Sequence, residues 1–238
     1  MDAHNAGIFP LDGRYRSLIT VSRWIIRNVY LTIVTNEELA KVVSSLGGVP
    51  YIITDPIPKI HCDSEAKDSA PYQKDYILLV CAWADDEPYS EVIKAMERLN
   101  HPDLELRITG SPPVEISKAM LAENIILEGY VSREKYESLV CNAKLIIDLT
   151  TRESCLVCGA YEAAAAGKPC ILSDDTMARS VFNGGYLFTK NTEEEIANSV
   201  KNALNSLSVL EEQMRQFKIE YDSKISIRIK EFEKTIHI

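Results

Sequence analysis

Residues 145–174 read LIIDLTTRESCLVCGAYEAAAAGKPCILSD, and the order of elements in this stretch decides the fold. Leu145–Leu149 is a short apolar run of strand type, and Thr150–Ser154 is polar and loop-like. Between Cys155 and Gly167 the only charged residue is Glu162, so the helix expected there lacks the polar face of a surface helix. It reads as a buried helix, packed closely through Gly159, Ala160 and Ala163–Ala166 and closed by Gly167. Pro169–Ser173 begins the next strand. A buried carboxylate costs several kcal/mol unless it is paired, hydrogen-bonded or neutralised. No Lys or Arg lies one helical turn from Glu162, so its partner is either a distant base or a ligand carrying hydroxyls.

The same alternation extends outward. Tyr76–Ala84 is an apolar run of the kind covered on both faces of a parallel sheet, with Asp85 and Asp86 expected to cap the following helix. Leu104–Thr109, Ile125–Val131 and Gly185–Phe188 read as further strands. Helices are expected over 114–122, after Ser132, and after Thr192, where Glu193–Glu195 suit the positive helix end. The βαβα order predicts an α/β protein with a doubly wound, parallel Rossmann-like sheet, whose ligands bind beyond the carboxyl ends of the strands. That edge carries the loops 82–86, 109–113, 129–132, 150–154 and 173–179. Residues 1–58 read as a partial N-terminal α/β segment, with strands at 31–34 and 51–54 flanking a helix over 36–46. Residues 59–74 read as a linker, 75–207 as the Rossmann-like domain and 208–238 as a C-terminal helix.

The chain has 238 residues, 46% of them apolar and 26% charged, as ordinary globular proteins do. A formal charge of −9 argues against nucleic acid as a partner. No apolar run approaches the roughly 20 residues that span a bilayer, and no signal peptide opens the chain. Cysteines 62, 81, 141, 155, 158 and 170 lie mostly in apolar runs, which suggests reduced thiols and a cytoplasmic setting. Cys155 and Cys158 form a CxxC pair without a second pair at zinc spacing. Small-residue packing explains it better than thiol redox or metal binding. Arg16, Arg23 and Arg27 share a helical face opposite Leu18, Val21, Ile25 and Ile26. That face reads as solvated, with peripheral contact to a membrane surface or a phosphate-bearing acceptor as the alternative.

The segment Leu145–Asp174 resembles the donor-site signature of retaining glycosyltransferases of GT-B fold (group 1, family-four type), as its C-terminal domain carries it. There a strand leads into a glutamate-bearing loop, then a helix with a second glutamate, a Gly-x-Pro turn and another strand. Ile108-Thr-Gly110, Gly129-Tyr-Val131 and Asp2-Ala-His-Asn5 support the match. The resemblance implies that Glu162 accepts hydrogen bonds from the ribose hydroxyls of a nucleoside-diphosphate sugar, the co-substrate, with no further cofactor and no metal. A vicinal diol can offer two donors to two carboxylate oxygens. It further implies that the amides of Ser154, Cys155 and Leu156, at a helix N-terminus, face the diphosphate or sugar. Gly129, Tyr130 and Val131 would lie beside the base, Glu153 on the sugar, and His4 near the reacting centre.

Two departures from the family pattern stand out. One residue more separates Glu153 from Glu162 than separates the family's two acids, so a loop bulge is needed to bring Glu153 to the sugar. Relatives also clamp the diphosphate with basic residues after the first strand, where this chain reads ADDEPYSEVIK. Arg152, Lys168 and Arg179 are the candidates to replace them. The first domain of the family is much longer than residues 1–58, which implies a missing N-terminal domain or a partner subunit. The expected activity is sugar transfer to a saccharide or lipid-linked acceptor, in polysaccharide or glycolipid assembly on the inner face of a membrane. The alternatives are a catalytically silent GT-B-like subunit and another doubly wound protein such as an epimerase.

Overall fold

The structure is a computed structural model that describes Ile8 and residues 16–62, 72–116 and 121–236. It divides into two compact units, residues 1–56 with 221–238, and residues 57–220.

The larger unit is built on six parallel strands: β3 (Asp75–Leu79), β4 (Leu104–Thr109), β5 (Ile125–Gly129), β6 (Leu145–Asp148), β7 (Cys170–Ser173) and β8 (Tyr186–Thr189), numbered after two strands of the other unit. Their spatial order is β5-β4-β3-β6-β7-β8, the doubly wound arrangement expected. The order reverses between β3 and β6, so the loops that follow these two strands are neighbours at the sheet's carboxyl edge. Ile77, Leu106, Ile108, Leu145 and Ile147 are completely buried, as strands covered on both faces require. Edge strand β5 is guarded by Glu128, which pairs with Arg107 of β4 and with Lys135.

Helices α3 (Tyr89–Leu99), α4 (Arg133–Asn142), α5 (Cys158–Ala166), α6 (Thr176–Val181) and α7 (Glu193–Asn205) alternate with the strands. Ser132 caps α4 as expected, accepting from Lys135 N, and Thr192, where a helix was expected to begin, caps α7 by accepting from Glu195 N. Helix α5 is the buried helix: Ala160, Ala163 and Ala164 have no exposed surface, and Gly167 ends it in the left-handed conformation. The helix expected over 114–122 falls partly outside the described residues, and its described ends are turns, bends or irregular chain.

The smaller unit contains α1 (Arg16–Asn28), β1 (Thr32–Val34), α2 (Glu37–Ser45) and β2 (Pro50–Ile52), with β1 and β2 paired in parallel. Asn36 caps α2 by accepting from Leu39 N at 2.9 Å. Ile26 of α1 is buried, but Leu18 and Val21, expected on the covered face, are 42% and 54% exposed. Arg27 is not merely solvated, since its Nε donates to the Leu46 carbonyl at 2.8 Å. The last helix, α8 (Leu207–Ile236), is continuous, with residues from Tyr221 onward assigned to this unit. There Tyr221 donates to the Asp55 carbonyl, and Arg228 donates to the Ile52 carbonyl while lying over the ring of Tyr51. Among the described residues, no helix is long and apolar enough to cross a membrane.

Two local readings are corrected. The run 76–84 is not one strand, because β3 stops at Leu79 and the chain turns through Trp83 at φ +63°. Asp85 and Asp86 do not cap α3, which starts at Tyr89 behind Pro88. Instead the Glu87 carboxylate folds back and accepts from Ala82 N and Ala84 N, both at 2.9 Å. Cys62 and Cys141 form a disulfide with Cα atoms 5.5 Å apart, so the expectation of six reduced thiols fails for this pair. It ties the chain leading to β3 onto α4, an approach that a sequence separation of 79 does not advertise. Cys81, Cys155, Cys158 and Cys170 are free.

The turn after β3 depends on Gly110, whose φ is +79° and whose added Cβ would lie 2.2 Å from the Cys81 carbonyl oxygen. Gly110→Ala is expected to destabilise the protein by roughly 2–4 kcal/mol through overpacking and backbone strain. Urea denaturation checks this, and an unchanged midpoint would refute it.

Candidate donor site

The site lies where β6 hands over to α5. Asp148, the last residue of β6, is only 6% exposed and accepts from Gly159 N at 2.7 Å. An added Cβ on Gly159 would meet that carboxyl oxygen at 2.5 Å, so glycine is required for the helix to approach the strand this closely. Burial pushes the Asp148 carboxyl up to about 8, aided by the charges of Glu87 and Glu162 and opposed by the Gly159 amide. It is therefore largely protonated at neutral pH. Asp148 is a site residue beyond those expected, although an acid closing an otherwise apolar strand is a visible signal in the sequence.

Glu162 stands on the next turn of α5. Its carboxylate accepts a hydrogen bond from the Tyr136 hydroxyl of α4, and no Arg or Lys pairs with it among the described residues. Burial raises the Glu162 carboxyl above its ordinary range, while the Tyr136 hydrogen bond works in the opposite direction. Burial, together with the Glu162 charge, raises the Tyr136 phenol well above its usual value, so it remains a donor at any physiological pH. A half-buried carboxylate held by one neutral donor keeps acceptor capacity for another.

The β6–α5 loop differs from expectation in one respect. The amides of Ser154, Cys155 and Leu156 are not at the helix N-terminus, because Val157 is the N-cap and α5 begins at Cys158. Ser154 takes the left-handed conformation, φ +55°, and its N–H donates to the Asp175 carboxylate at 3.2 Å. That carboxylate also caps α6 by accepting from Met177 N and Ala178 N. This kink falls between Glu153 and Glu162, where the extra residue called for a bulge. Glu153 is exposed and makes no hydrogen bond or ion pair among the described residues. Cys155 is half-buried and Cys158 exposed, so only the first fits the small-residue packing expected of the pair.

Loop contacts across the switch point complete the arrangement. Asp86 accepts from the Thr150 hydroxyl at 2.8 Å and forms an ion pair with Arg152 Nε at 3.2 Å. Its main-chain oxygen accepts from Thr151 N at 2.7 Å. Thr150 is braced in turn by Ser173 Oγ, which accepts from its N–H, and by Asn191, whose side-chain amide donates to its carbonyl. Asp148, Thr150, Cys155, Leu172, Asp175 and Phe182 line a small pocket beneath this loop. Gly129 has φ +71° at the end of β5, Tyr130 is 91% exposed, and Val131 is half-buried. These three lie at the same carboxyl edge, beyond β4 from the loops just described. His4 lies outside the described residues.

A parallel sheet with a buried small-residue helix after its fourth strand, a half-buried glutamate on that helix and a polar loop before it defines the C-terminal domain of a GT-B glycosyltransferase. The family model "Glycosyl transferases group 1" matches residues 62–220, and the chain belongs to that family. Solved structures agree in fold. Sucrose-phosphate synthase from Thermosynechococcus elongatus is 15% identical over 99% of this chain and 67% of its own, with a TM-score of 0.77. Anabaena HepE, crystallised with UDP and glucose, is 12% identical over 99% of this chain and 70% of its own, with a TM-score of 0.77. The pneumococcal O-GlcNAc transferase GtfA, crystallised with UDP and GlcNAc, is 16% identical over 90% of this chain and 46% of its own, with a TM-score of 0.66. No curated protein sequence matches significantly.

The Asp148 shift fixes the sign of a pH effect. Its carboxyl titrates near 3.8 in the unfolded chain and at about 8 in the folded one, so between these values the folded state binds more protons. Stability should then fall as pH rises from about 4 to 8, by at most on the order of 5 kcal/mol. Melting temperatures at pH 5 and pH 8 measure this slope, and Asp148→Asn is expected to flatten it. A wild-type profile that rises toward pH 8 would contradict the assignment.

Proposed function

We propose that the protein transfers a hexosyl or related sugar from a nucleoside-diphosphate sugar to a saccharide or lipid-linked acceptor, with retention at the anomeric carbon. The observation that carries this reading is Glu162: a carboxylate withdrawn from water, with a tyrosine hydroxyl as its partner, on the helix after β6. In this reading its remaining acceptor capacity takes ribose hydroxyls. Each hydrogen bond to a charged group contributes about 1.5–3 kcal/mol where water is excluded.

Gly129, Tyr130 and Val131 would flank the base, and a glycine with positive φ lets the main chain come close to a planar ligand. The amides of Cys155 and Leu156 and the Arg152 guanidinium would face the diphosphate. Ser154 N is held by Asp175 and would contribute only if that bond shifts. Glu153, exposed beside Arg152, would contact the sugar, and His4 the reacting centre. Catalysis would rest on holding the donor and stabilising charge on the departing diphosphate, with no protein nucleophile required. By family analogy such chemistry would serve polysaccharide or glycolipid assembly, in the cytoplasm and peripheral to a membrane.

A second reading, a catalytically silent GT-B-like subunit acting with a partner chain, is favoured by the acidic sequence of the β3–α3 loop. Titration with uridine-diphosphate sugars separates the two, uridine being the nucleoside in the HepE and GtfA complexes. An active transferase releases nucleoside diphosphate, and Glu162→Ala is expected to weaken donor binding roughly 10- to 100-fold. Donor binding unaffected by Glu162→Ala would refute the assignment. Binding without turnover would support the silent subunit.

A further inference from the structure

Helix α4 packs beside α5, and Tyr136 of the first reaches Glu162 of the second. Leu139 and Val140 form the fully buried side of α4, and Tyr136 stands one turn before them, half-buried. The first turn of the helix fixes its main chain. Tyr136 N donates to the Ser132 carbonyl at 2.9 Å, and the Ser132 side chain caps the same turn. A tyrosine ring has only two torsions, so a phenol on an anchored backbone moves little. Its hydroxyl donates to Oε2 of Glu162. Oε1 has no hydrogen-bond partner among the described residues, and Oε2 keeps a second lone pair.

Packing alone does not call for this pair. Two apolar side chains of matching shape would join the helices about as well, because a buried hydrogen bond contributes little net stability. Charge balance does not call for it either. The titratable groups facing Glu162 are Tyr136 on α4, Asp148 on β6 and Cys170 on β7, with Cys158 of α5 itself near the phenol. None of them is a cation. Burial raises the Glu162 carboxyl, and the Tyr136 hydrogen bond is what opposes this, because it favours the charged form.

We infer that Tyr136 is a positioning residue: its hydroxyl holds one oxygen of Glu162 and leaves the other as a fixed acceptor for a hydroxyl-bearing ligand. The donor reading above supplies that ligand, the ribose of a nucleoside diphosphate, but the hold of Tyr136 on Glu162 does not depend on it. The phenol acts in two ways. It restricts the rotamers of a flexible side chain before the ligand arrives, so less entropy is lost on binding. It also keeps the acceptor charged in mild acid, whereas a protonated Glu162 would present a donor where the ligand needs an acceptor. Without the phenol the folded-state carboxyl titrates at higher pH, and affinity is lost sooner as the pH falls.

Carbon-13 NMR of the unliganded protein can follow the Glu162 carboxyl. Calorimetry gives uridine diphosphate affinities from about pH 5 to pH 7, where Asp148 stays largely protonated. Tyr136→Phe keeps the ring and removes the donor. It should move the Glu162 midpoint to higher pH. It should also weaken uridine diphosphate binding about fivefold at pH 7, and by a larger factor as the pH falls. Taking the ratio to wild type at each pH cancels the ligand's own ionisation. In a Glu162→Gln background, where nothing titrates at that position, the same substitution should cost the same at every pH. An unmoved Glu162 midpoint would overturn the inference, as would a ratio that ignores pH in the Glu162 protein, the mark of a packing defect. A midpoint that moves in a protein with no affinity for uridine diphosphate would uphold the hold of Tyr136 while removing the donor reading.

Discussion

The N–H of Gly159 donates to the Asp148 carboxyl at 2.7 Å, and the architecture of the ligand edge follows from how near this brings α5 to β6. Only a residue without a side chain fits at position 159, and the alanines that follow continue the same close packing. With α5 seated so deeply, Glu162 is half-buried, and its carboxylate accepts from Tyr136 on the neighbouring helix. The loop before the helix is drawn in as well, and its polar residues end up against the loop that follows β3.

That edge is crowded with acids in a protein already carrying a charge of −9. Left bare, they would repel any phosphate-bearing ligand. Glu153 stays exposed without a partner among the described residues, and the others are dealt with in different ways. Asp148 is largely neutralised by burial, Glu162 is held by a phenol, Glu87 and Asp175 accept from main-chain amides, and Asp86 pairs with Arg152. Internal donors therefore offset much of the negative field, and the exposed edge of Arg152 remains as a positive feature at the switch point.

Much of this was legible in the sequence. The parallel order of strands followed from apolar runs alternating with helical spacing, and the burial of α5 followed from a helix with one charge and no polar face. The cap at Ser132 and the helix start at Thr192 follow from the same local preference. What escaped was whatever depends on contacts between distant segments. Glu162 called for a partner, but nothing marked Tyr136, a residue on another helix, as the donor. Asp85 and Asp86 looked like helix caps because local preference favours that role, whereas Asp86 instead reaches the β6–α5 loop. The start of α5 was placed too early, because the Ser154 kink depends on Asp175 from the following loop. The disulfide between Cys62 and Cys141 had no local signature at all.

The central claim is that the sequestered Glu162 carboxylate recognises the vicinal diol of a nucleotide. The most direct measurement compares the affinity of wild-type protein for uridine diphosphate with that for its 2′,3′-dideoxy counterpart. The account predicts that removing both hydroxyls weakens binding at least tenfold, as expected for the loss of charge-assisted hydrogen bonds in a site with restricted water. Equal affinity for the two, or affinity for neither, would contradict it.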